Sequence, residues 1–275
     1  MIALGSFDWK TFFNYLVFPD SVTWWAILTT VGVAVAAQVF GVIFGVISAL
    51  MQMSKSRILR FLAGAYVWFF RGTPVIIQIF FMYFGAALFL GFDPFPPHAH
   101  LVFITVPGAI LAGTAALAIN EGAYMSEIVR AGIAAVDKGQ MEAALTVGMT
   151  RGQGMRRIVL PQAGRVIMPP LGNEFNNMLK TTALLNFIGV KEIFFDAETR
   201  ISSTFKYPEF LAGAAVLYLI LTTLWGFVQK RIENKFNESD RDHAVDMPSF
   251  ASRLLGGTRK PTLADETTMA IGGHE

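Results

Sequence analysis

Polar and ionisable side chains that could bind a solute lie within two otherwise apolar segments of the sequence. Asn120, Tyr124 and Glu127 would share one face of a helix, and Glu174 lies in the second segment. An ionisable side chain is costly at membrane depth, so each one is a candidate for function. Asn173, Asn177 and Lys180 would share a face of the second helix. The two faces are predicted to line a polar path formed by Asn120, Glu121, Tyr124, Glu127, Asn173, Glu174, Asn177, Lys180 and Thr181.

Two of these residues also have purely structural explanations. Glu127 could form an ion pair with Arg130, three residues later on the same helix. Lys180 could extend its side chain outward to the membrane surface instead of into the path. The residue types alone are compatible with either role.

A helix break is predicted at Arg71-Gly72-Thr73-Pro74, because Gly and Pro together interrupt a helix. One interpretation is that the break exposes backbone groups that line a cavity, with Gln78 nearby on the polar path. The other is a simple turn that starts a helix, with Pro74 in its first turn and Arg71 at the lipid headgroups. The sequence is compatible with both interpretations.

A different kind of segment lies between the two polar faces. Residues 139–149 read GQMEAALTVGM and predict a short amphipathic helix that Gly148 ends or allows to pack closely. Its apolar stripe contains Met141, Ala144, Leu145 and Gly148. Residues 151–154 predict a turn, and residues 155–160 a second amphipathic piece leading to Pro161 in the first turn of the next helix. Two short helices at a right angle would form a docking surface.

The elements that must position these residues are transmembrane helices. The 275 residues are 53% hydrophobic and 15% charged, whereas soluble domains are about 25% charged. Residues 21–54 contain no Asp, Glu, Lys or Arg. This charge-free stretch is longer than the roughly 20 residues that a span needs. We predict an all-α integral membrane protein with five transmembrane helices, near residues 21–54, 58–90, 101–119, 166–184 and 210–228.

Lys and Arg residues are concentrated after the first, third and fifth predicted spans, which orients the chain with its N-terminus outside and its C-terminus inside. Residues 1–20 would form an extracytoplasmic N-terminal segment without a cleaved signal peptide. Residues 21–236 would form the transmembrane domain, with the docking loop at about 137–161. Residues 237–275 are predicted to be a flexible cytoplasmic tail. Whether residues 58–70 form a separate interfacial helix or part of a broken span stays open.

Composition and motifs exclude several classes of protein. The absence of Cys rules out disulfides and thiolate metal sites, and a net charge of +2 gives no reason to expect nucleic-acid binding. The four His residues show no metal-binding pattern, and no HExxH or GxSxG motif indicates an enzyme. The sequence also contains no GxxxxGK[ST] phosphate-binding loop. We therefore expect neither catalytic residues nor a metal.

The docking segment resembles a known motif. Glu142-Ala143-Ala144, then Gly148, then Ile158-x-Leu160-Pro161, resemble the EAA loop of bacterial ATP-binding-cassette (ABC) importer permeases. Four further stretches resemble the polar amino-acid (His/Arg/Gln/Glu-type) permease family: GAYMSEIVRAGI at 122–133, Lys138-Gly139-Gln140, Arg71-Gly72-Thr73-Pro74 with Gln78, and Asn177-x-x-Lys180-Thr181-Thr182. The resemblance covers about residues 54–190 and departs slightly at Asp137 and Thr182-Ala183.

This resemblance implies a type I ABC importer permease fold in a multi-pass subunit of the bacterial cytoplasmic (inner) membrane. The subunit would import polar amino acids by alternating access. The residues of the polar faces, with Glu121, Glu127 and Glu174 against Lys180, themselves favour a basic amino acid. Substrate would meet Gln78 and the path residues named above. The ATPase would contact Glu142, Ala143, Ala144, Gly148, Arg151, Ile158, Leu160 and Pro161.

The resemblance also implies partners. An ABC ATPase dimer would bind the ATP and Mg, so that this chain would hold no cofactor. A second permease subunit would complete a homodimer or a similar heterodimer in the lipid bilayer. An extracytoplasmic amino-acid-binding protein would dock on residues 91–100 and 186–207. The alternative class is an ion-coupled secondary transporter or channel, which would need a larger bundle or an internal repeat and gives no role to residues 142–161.

Overall fold

The computed structural model describes residues 7–101 and 104–245, which are almost entirely helical. The helices are α1 (Trp9–Val17), α2 (Ser21–Gln52), α3 (Arg57–Gly72), α4 (Val75–Leu90), α5 (Gly108–Ala134), α6 (Lys138–Thr146), α7 (Arg151–Gly154), α8 (Leu160–Thr181), α9 (Ile193–Thr204) and α10 (Tyr207–Val245). A β-hairpin pairs β1 (His98–Leu101) with β2 (Ile104–Pro107). All contacts described below lie within the compact unit that ends at Glu233.

Two of the described helices are long and apolar enough to cross a membrane, Ser21–Gln52 and Tyr207–Lys235. The pair α3 and α4 would be a third candidate if it forms one bent span. Helices α5 and α8 carry the polar path residues, which lowers their hydropathy. The count of five spans and the orientation of the termini therefore remain predictions.

The region of the predicted second span is sharply bent. Helices α3 and α4 meet at 108° on either side of Thr73 and Pro74. Pro74 lacks a backbone N–H, and the residue before a proline is driven into extended backbone, as Thr73 is. The predicted break is confirmed, and residues 58–70 belong to the separate helix α3.

The boundaries of the predicted third span were wrong. Residues 98–101 and 104–107 form the two strands of the β-hairpin, and helix α5 begins only at Gly108 and continues to Ala134. The β-branched residues Ile104, Thr105 and Val106 favour a strand. Gly108 fits against the preceding loop, because a Cβ there would lie 2.2 Å from the Phe95 carbonyl oxygen. The apolar run in the sequence ends at Asn120, so the predicted span stopped there. Helix α5 continues past Asn120 because neighbouring helices bury its polar residues.

The last two predicted spans also have different boundaries. Helix α8 begins at Leu160 and leads into a 3-10 helix, Thr182–Ile188, in place of the predicted 166–184. Helix α10 extends past Val228 and through Lys230 and Arg231 to Val245, because polar residues can continue a helix outside the apolar layer. Residues 237–245 of the predicted tail are thus helical, and residues from 246 lie outside the described part of the chain.

Small residues bring α2 and α5 together along most of their length. A Cβ on Gly41 would lie 2.5 Å from the Glu121 Cγ, and one on Gly45 would lie 2.3 Å from the Met125 Cβ. Close approach through small residues is the usual way that helices pack in lipid. The buried core then joins α2 and α5 to α8 through Ala37, Leu117 and other apolar residues.

Candidate functional site

A cavity of about 390 Å³ lies between α5, α8 and the break before α4. Its walls are formed by Thr73, Pro74, Val75, Leu117, Asn120, Glu121, Tyr124, Glu174, Asn177, Met178 and Thr181. This volume lies in the range of small-molecule sites. The cavity brings together six of the predicted path residues, namely Asn120, Glu121, Tyr124, Glu174, Asn177 and Thr181.

Glu121 is held from behind by α2. Its carboxylate accepts a hydrogen bond of 3.1 Å from Gln38 Nε2, and the residue is only 5% exposed. Gly41 packs against its aliphatic carbons. Sequence reasoning missed Gln38, although it is the lone amide in the middle of the charge-free run and precedes Gly41 by three residues.

Helix α8 supplies the opposite wall. The Glu174 carboxylate makes no hydrogen bond or ion pair within the described residues and faces the same cavity as Glu121. Asn177 and Thr181 lie in the same wall, and Thr181 Oγ1 donates to the Asn177 backbone oxygen at 2.9 Å. The two walls therefore offer carboxylates as acceptors and an amide as both donor and acceptor.

The helix break is fixed by two amides. Gln78 Nε2 donates to the Phe70 backbone oxygen at 3.0 Å and to Thr73 Oγ1 at 2.8 Å. Asn120 Nδ2 donates to the same Phe70 oxygen at 3.0 Å and to Gln78 Oε1 at 2.9 Å. Gln78 is buried behind the wall and does not line the cavity. It satisfies backbone groups that the end of α3 leaves without partners.

Three other predicted path residues lie away from the cavity. Glu127 forms an ion pair of 2.7 Å with Arg130, which is the structural alternative raised by the sequence. Asn173 Oδ1 accepts from Gln229 Nε2 of α10 at 3.4 Å. Lys180 is exposed and is absent from the cavity wall.

The docking segment forms the predicted short helix α6, followed by a tight reversal. Asp137 caps its start by accepting from the Gly139 N–H at 2.6 Å, and Gly148 follows its end with φ +84°, a conformation that favours glycine. The turn lies at residues 147–150. Residues 151–154, predicted as a turn, are helical because Thr150 and Gln153 form a capping box that starts α7.

Helices α6 and α7 pack through small residues. A Cβ on Gly154 would lie 2.9 Å from the Met141 Sδ and 3.2 Å from the Ala144 Cβ. Ala144 is 1% exposed. It therefore holds the two short helices together and does not face outward.

The sequence profile of one protein family matches residues 41–238, which is well over half of the chain. Its description is "Binding-protein-dependent transport system inner membrane component". The chain belongs to this family. The resemblance carried by the EAA segment is confirmed.

Relatives of the permease have amino-acid transport names. A probable amino-acid permease protein of Bacillus subtilis, YxeN, is 35% identical over 238 residues that cover 86% of this chain and 100% of that protein. The arginine transport system permease protein ArgU of Corynebacterium glutamicum is 36% identical, covering 85% of this chain and 73% of ArgU. These similarities are to transport subunits and do not themselves assign a substrate to this chain.

A solved structure supports the fold of the permease. An amino acid ABC transporter crystallised with histidines has a chain that superposes with a TM-score of 0.70 and is 34% identical. The match covers 81% of this chain and 98% of that chain. The expected type I ABC importer permease fold is thereby confirmed.

The outward side of the permease's docking segment is now defined. Glu142, Ala143 and Arg151 are exposed, and Val147, which sequence reasoning did not select, is 76% exposed. Of the other predicted contacts, Gly148, Leu160 and Pro161 are exposed and Ile158 is half-buried. We call the exposed group Glu142, Ala143, Val147 and Gly148 the coupling surface, after the coupling role that the EAA resemblance predicts for this segment.

Proposed function

We propose that this permease is the membrane subunit of an ATP-driven importer for polar amino acids and that its cavity favours a cationic side chain. The observation that carries the proposal is that Glu121 and Glu174 line one cavity with the Asn177 amide. An amino acid needs acceptors for its ammonium group and donors for its carboxylate. A second carboxylate beyond the one that meets the α-ammonium would suit a guanidinium or a side-chain ammonium.

Relatives support an amino acid as the cargo. One similar permease is named for arginine and others for glutamine and cystine. The cavity volume of about 390 Å³ accommodates a molecule of this size. The preference for a cationic amino acid is the part of the proposal that rests on this chain's own carboxylates.

Coupling to the ATPase would run through one helical connection. Helix α7 continues through a π-helical turn, Met155–Val159, into α8, which carries Glu174 and Asn177. A movement of the coupling surface would therefore be transmitted along the backbone to one wall of the cavity. Closure of the ATPase dimer would then shift the permease between two packed states that open the cavity to opposite sides.

ATP and Mg would bind to the partner ATPase, and this chain would contribute no cofactor site. The coupling surface, with Glu142 at its polar edge, would seat in a groove of that partner. Two permease subunits, as a homodimer or a similar heterodimer, would present two such surfaces. Ala144 and Gly154 would keep each pair of short helices rigid enough to transmit force.

The proposed topology has five spans in a bacterial inner membrane, with the N-terminus outside and the C-terminus inside. Two contacts support placing the N-terminus and residues 186–207 on the same side. Arg200 Nη2 lies 2.8 Å from Asp20 Oδ1, and Lys206 Nζ lies 2.7 Å from Asp8 Oδ2. An extracytoplasmic amino-acid-binding protein would dock at this end and on residues 91–100.

Uptake by proteoliposomes that contain the permease, its ATPase and its binding protein would test this function. We expect Glu174→Gln to lower arginine uptake by about tenfold and glutamine uptake much less, because a charge-assisted hydrogen bond contributes about 1.5–3 kcal/mol. Asn173→Ala is the matched control, since Asn173 lies on the same helix but outside the cavity. Equal loss for both amino acids, or no loss, would contradict the cationic preference. Uptake that needs no ATP would contradict the proposed function as a whole.

A further inference from the structure

Helix α1 exposes a continuous apolar stripe. Trp9, Phe13 and Val17 are spaced four residues apart and are 61%, 52% and 59% exposed. On the other side of this helix, Tyr15 is buried. The exposed stripe is therefore a separate surface from the face that packs on the rest of the protein.

Contacts fix α1 at the end of the molecule where both membrane-length helices begin. The Asp8 carboxylate accepts from Lys206 Nζ at 2.7 Å, and the Asp8 N–H donates to Glu209 Oε1 at 2.8 Å. Glu209 lies in the first turn of α10. Only Phe18, Pro19 and Asp20 separate α1 from α2. The stripe is thus level with the starts of α2 and α10.

The same stripe continues onto the exposed apolar surface of α2. Phe18, Val22 and Trp25 are 77%, 57% and 69% exposed. Polar residues border the stripe on its other side, where Lys10 and Asn14 are exposed. An apolar face with aromatic residues, edged by a cation and an amide, matches the membrane–water interface.

We propose that α1 is an interfacial membrane anchor whose exposed stripe of Trp9, Phe13 and Val17 inserts at the boundary between lipid headgroups and acyl chains. The occupant of this surface is lipid, because the stripe is continuous with the exposed apolar surface of α2, a helix long and apolar enough to cross a membrane. Asp8 and Lys206 tie the anchor to the start of α10. The helix axis then lies along the membrane surface while α2 crosses it.

Single-cysteine labelling tests the proposal directly, since the chain contains no Cys. Full-length Phe13→Cys permease would be labelled with a nitrobenzoxadiazole fluorophore and reconstituted into phosphatidylethanolamine–phosphatidylglycerol vesicles. We expect roughly threefold stronger quenching by lipids that carry a nitroxide near the headgroup than by lipids that carry it at the acyl-chain end. Asn14→Cys is the matched control and should be quenched mainly by aqueous iodide.

A second variant on the stripe, Val17→Cys, keeps the test valid if Phe13→Cys does not fold. Quenching of both stripe positions by iodide and not by lipid nitroxides would overturn the proposal. Protection from both quenchers would also overturn it, because a second copy or another protein would then cover the stripe. The measurement uses neither ATP nor substrate, so its failure would leave the transport proposal unaffected.

Discussion

Asn120 Nδ2 donates to Gln78 Oε1 across 2.9 Å, and both amides also bind the backbone oxygen of Phe70. This pair joins α5 to the bend between α3 and α4. Residues of the bend, Thr73 and Pro74, form part of the cavity wall. Gln78 is therefore a positioning residue behind the cavity wall, and Asn120, which lies in the wall, ties that residue to α5.

We expect Gln78→Leu to destabilise the permease by about 1–3 kcal/mol, because the Phe70 carbonyl, the Thr73 hydroxyl and the Asn120 amide each lose one hydrogen bond. Amino-acid uptake should fall with it, since the wall at Thr73 would shift. Thermal unfolding in detergent, followed by tryptophan fluorescence, measures the first effect. Gln162→Leu is the control, because among the described residues Gln162 bonds to Gln140 and the Ile158 backbone and lies away from the cavity. An unchanged melting temperature in Gln78→Leu would contradict this role.

Close packing of α2 on α5 predicts a contrast between two glycines of one helix. Gly41→Ala should destabilise the protein by about 1–3 kcal/mol, because the new Cβ would meet Glu121. Gly32→Ala should be neutral or slightly stabilising, because a Cβ at Gly32 has nothing within 4 Å and Ala is the better helix former. Melting temperatures of the two variants in the same detergent test the contrast. Equal effects would show that the interface is looser than the structure indicates.

The coupling surface predicts a variant that folds but does not transport. Val147→Asp should leave thermal stability unchanged, because Val147 is 76% exposed. It should lower uptake and substrate-stimulated ATP hydrolysis by roughly tenfold, because a desolvated charge opposes docking. Val147→Ile keeps the surface apolar and is the matched control. Normal uptake by Val147→Asp would place the ATPase contact elsewhere.

The contact between Asp20 and Arg200 predicts an acid dependence of stability. Hydrogen bonds from Arg200 and from the Thr23 backbone lower the pKa of Asp20 from 3.8 to about 2. Because the pKa of Asp20 is lower in the folded state, its ionised carboxylate stabilises the fold. This stabilisation is complete above pH 3.8 and is lost as the pH falls through 2. Asp20→Asn should therefore melt about 1–2 °C lower than wild type at pH 7, a small shift because the pair is solvent-screened.

That difference between Asp20→Asn and wild type should stay constant down to about pH 4 and disappear toward pH 2. Differential scanning fluorimetry across this range measures it. Glu198→Gln, which removes an exposed carboxylate charge on α9 and keeps an oxygen acceptor for Asn186 Nδ2, is the control for general charge effects. A difference that persists at pH 2 would mean that the carboxylate charge is not its source.

Local patterns predicted much of this molecule correctly. The Gly-Pro break, the short helix with Gly148 after it and Pro161 in the first turn of α8 all follow from backbone preferences. The polar faces of α5 and α8 also met at one cavity, since helical spacing fixes which residues share a face. These features depend on residues that are close in sequence.

Features that depend on distant residues were not predictable in this way. Gln78 was assigned to the path, but its partners Phe70 and Asn120 become known only from the packing of α3 and α5. Hydropathy placed a span at 101–119, but it cannot distinguish the β-branched strand at 104–107 from the start of a helix. Ala144 was assigned to the docking surface, but the structure buries it against Gly154. That contact depends on how α7 folds back on α6, which the local sequence does not show.

The π-helical turn at Met155–Val159 affects how the side chains of α8 are rotated about the helix axis relative to those of α7. Each residue of a helix turns the chain by about 100°, and a π turn accommodates one residue more than an α turn in the same length. The number of residues in this turn therefore sets the angle between the coupling surface and the side chains of Glu174 and Asn177. Deleting one residue there would rotate those side chains out of the cavity while leaving both ends of the connection intact.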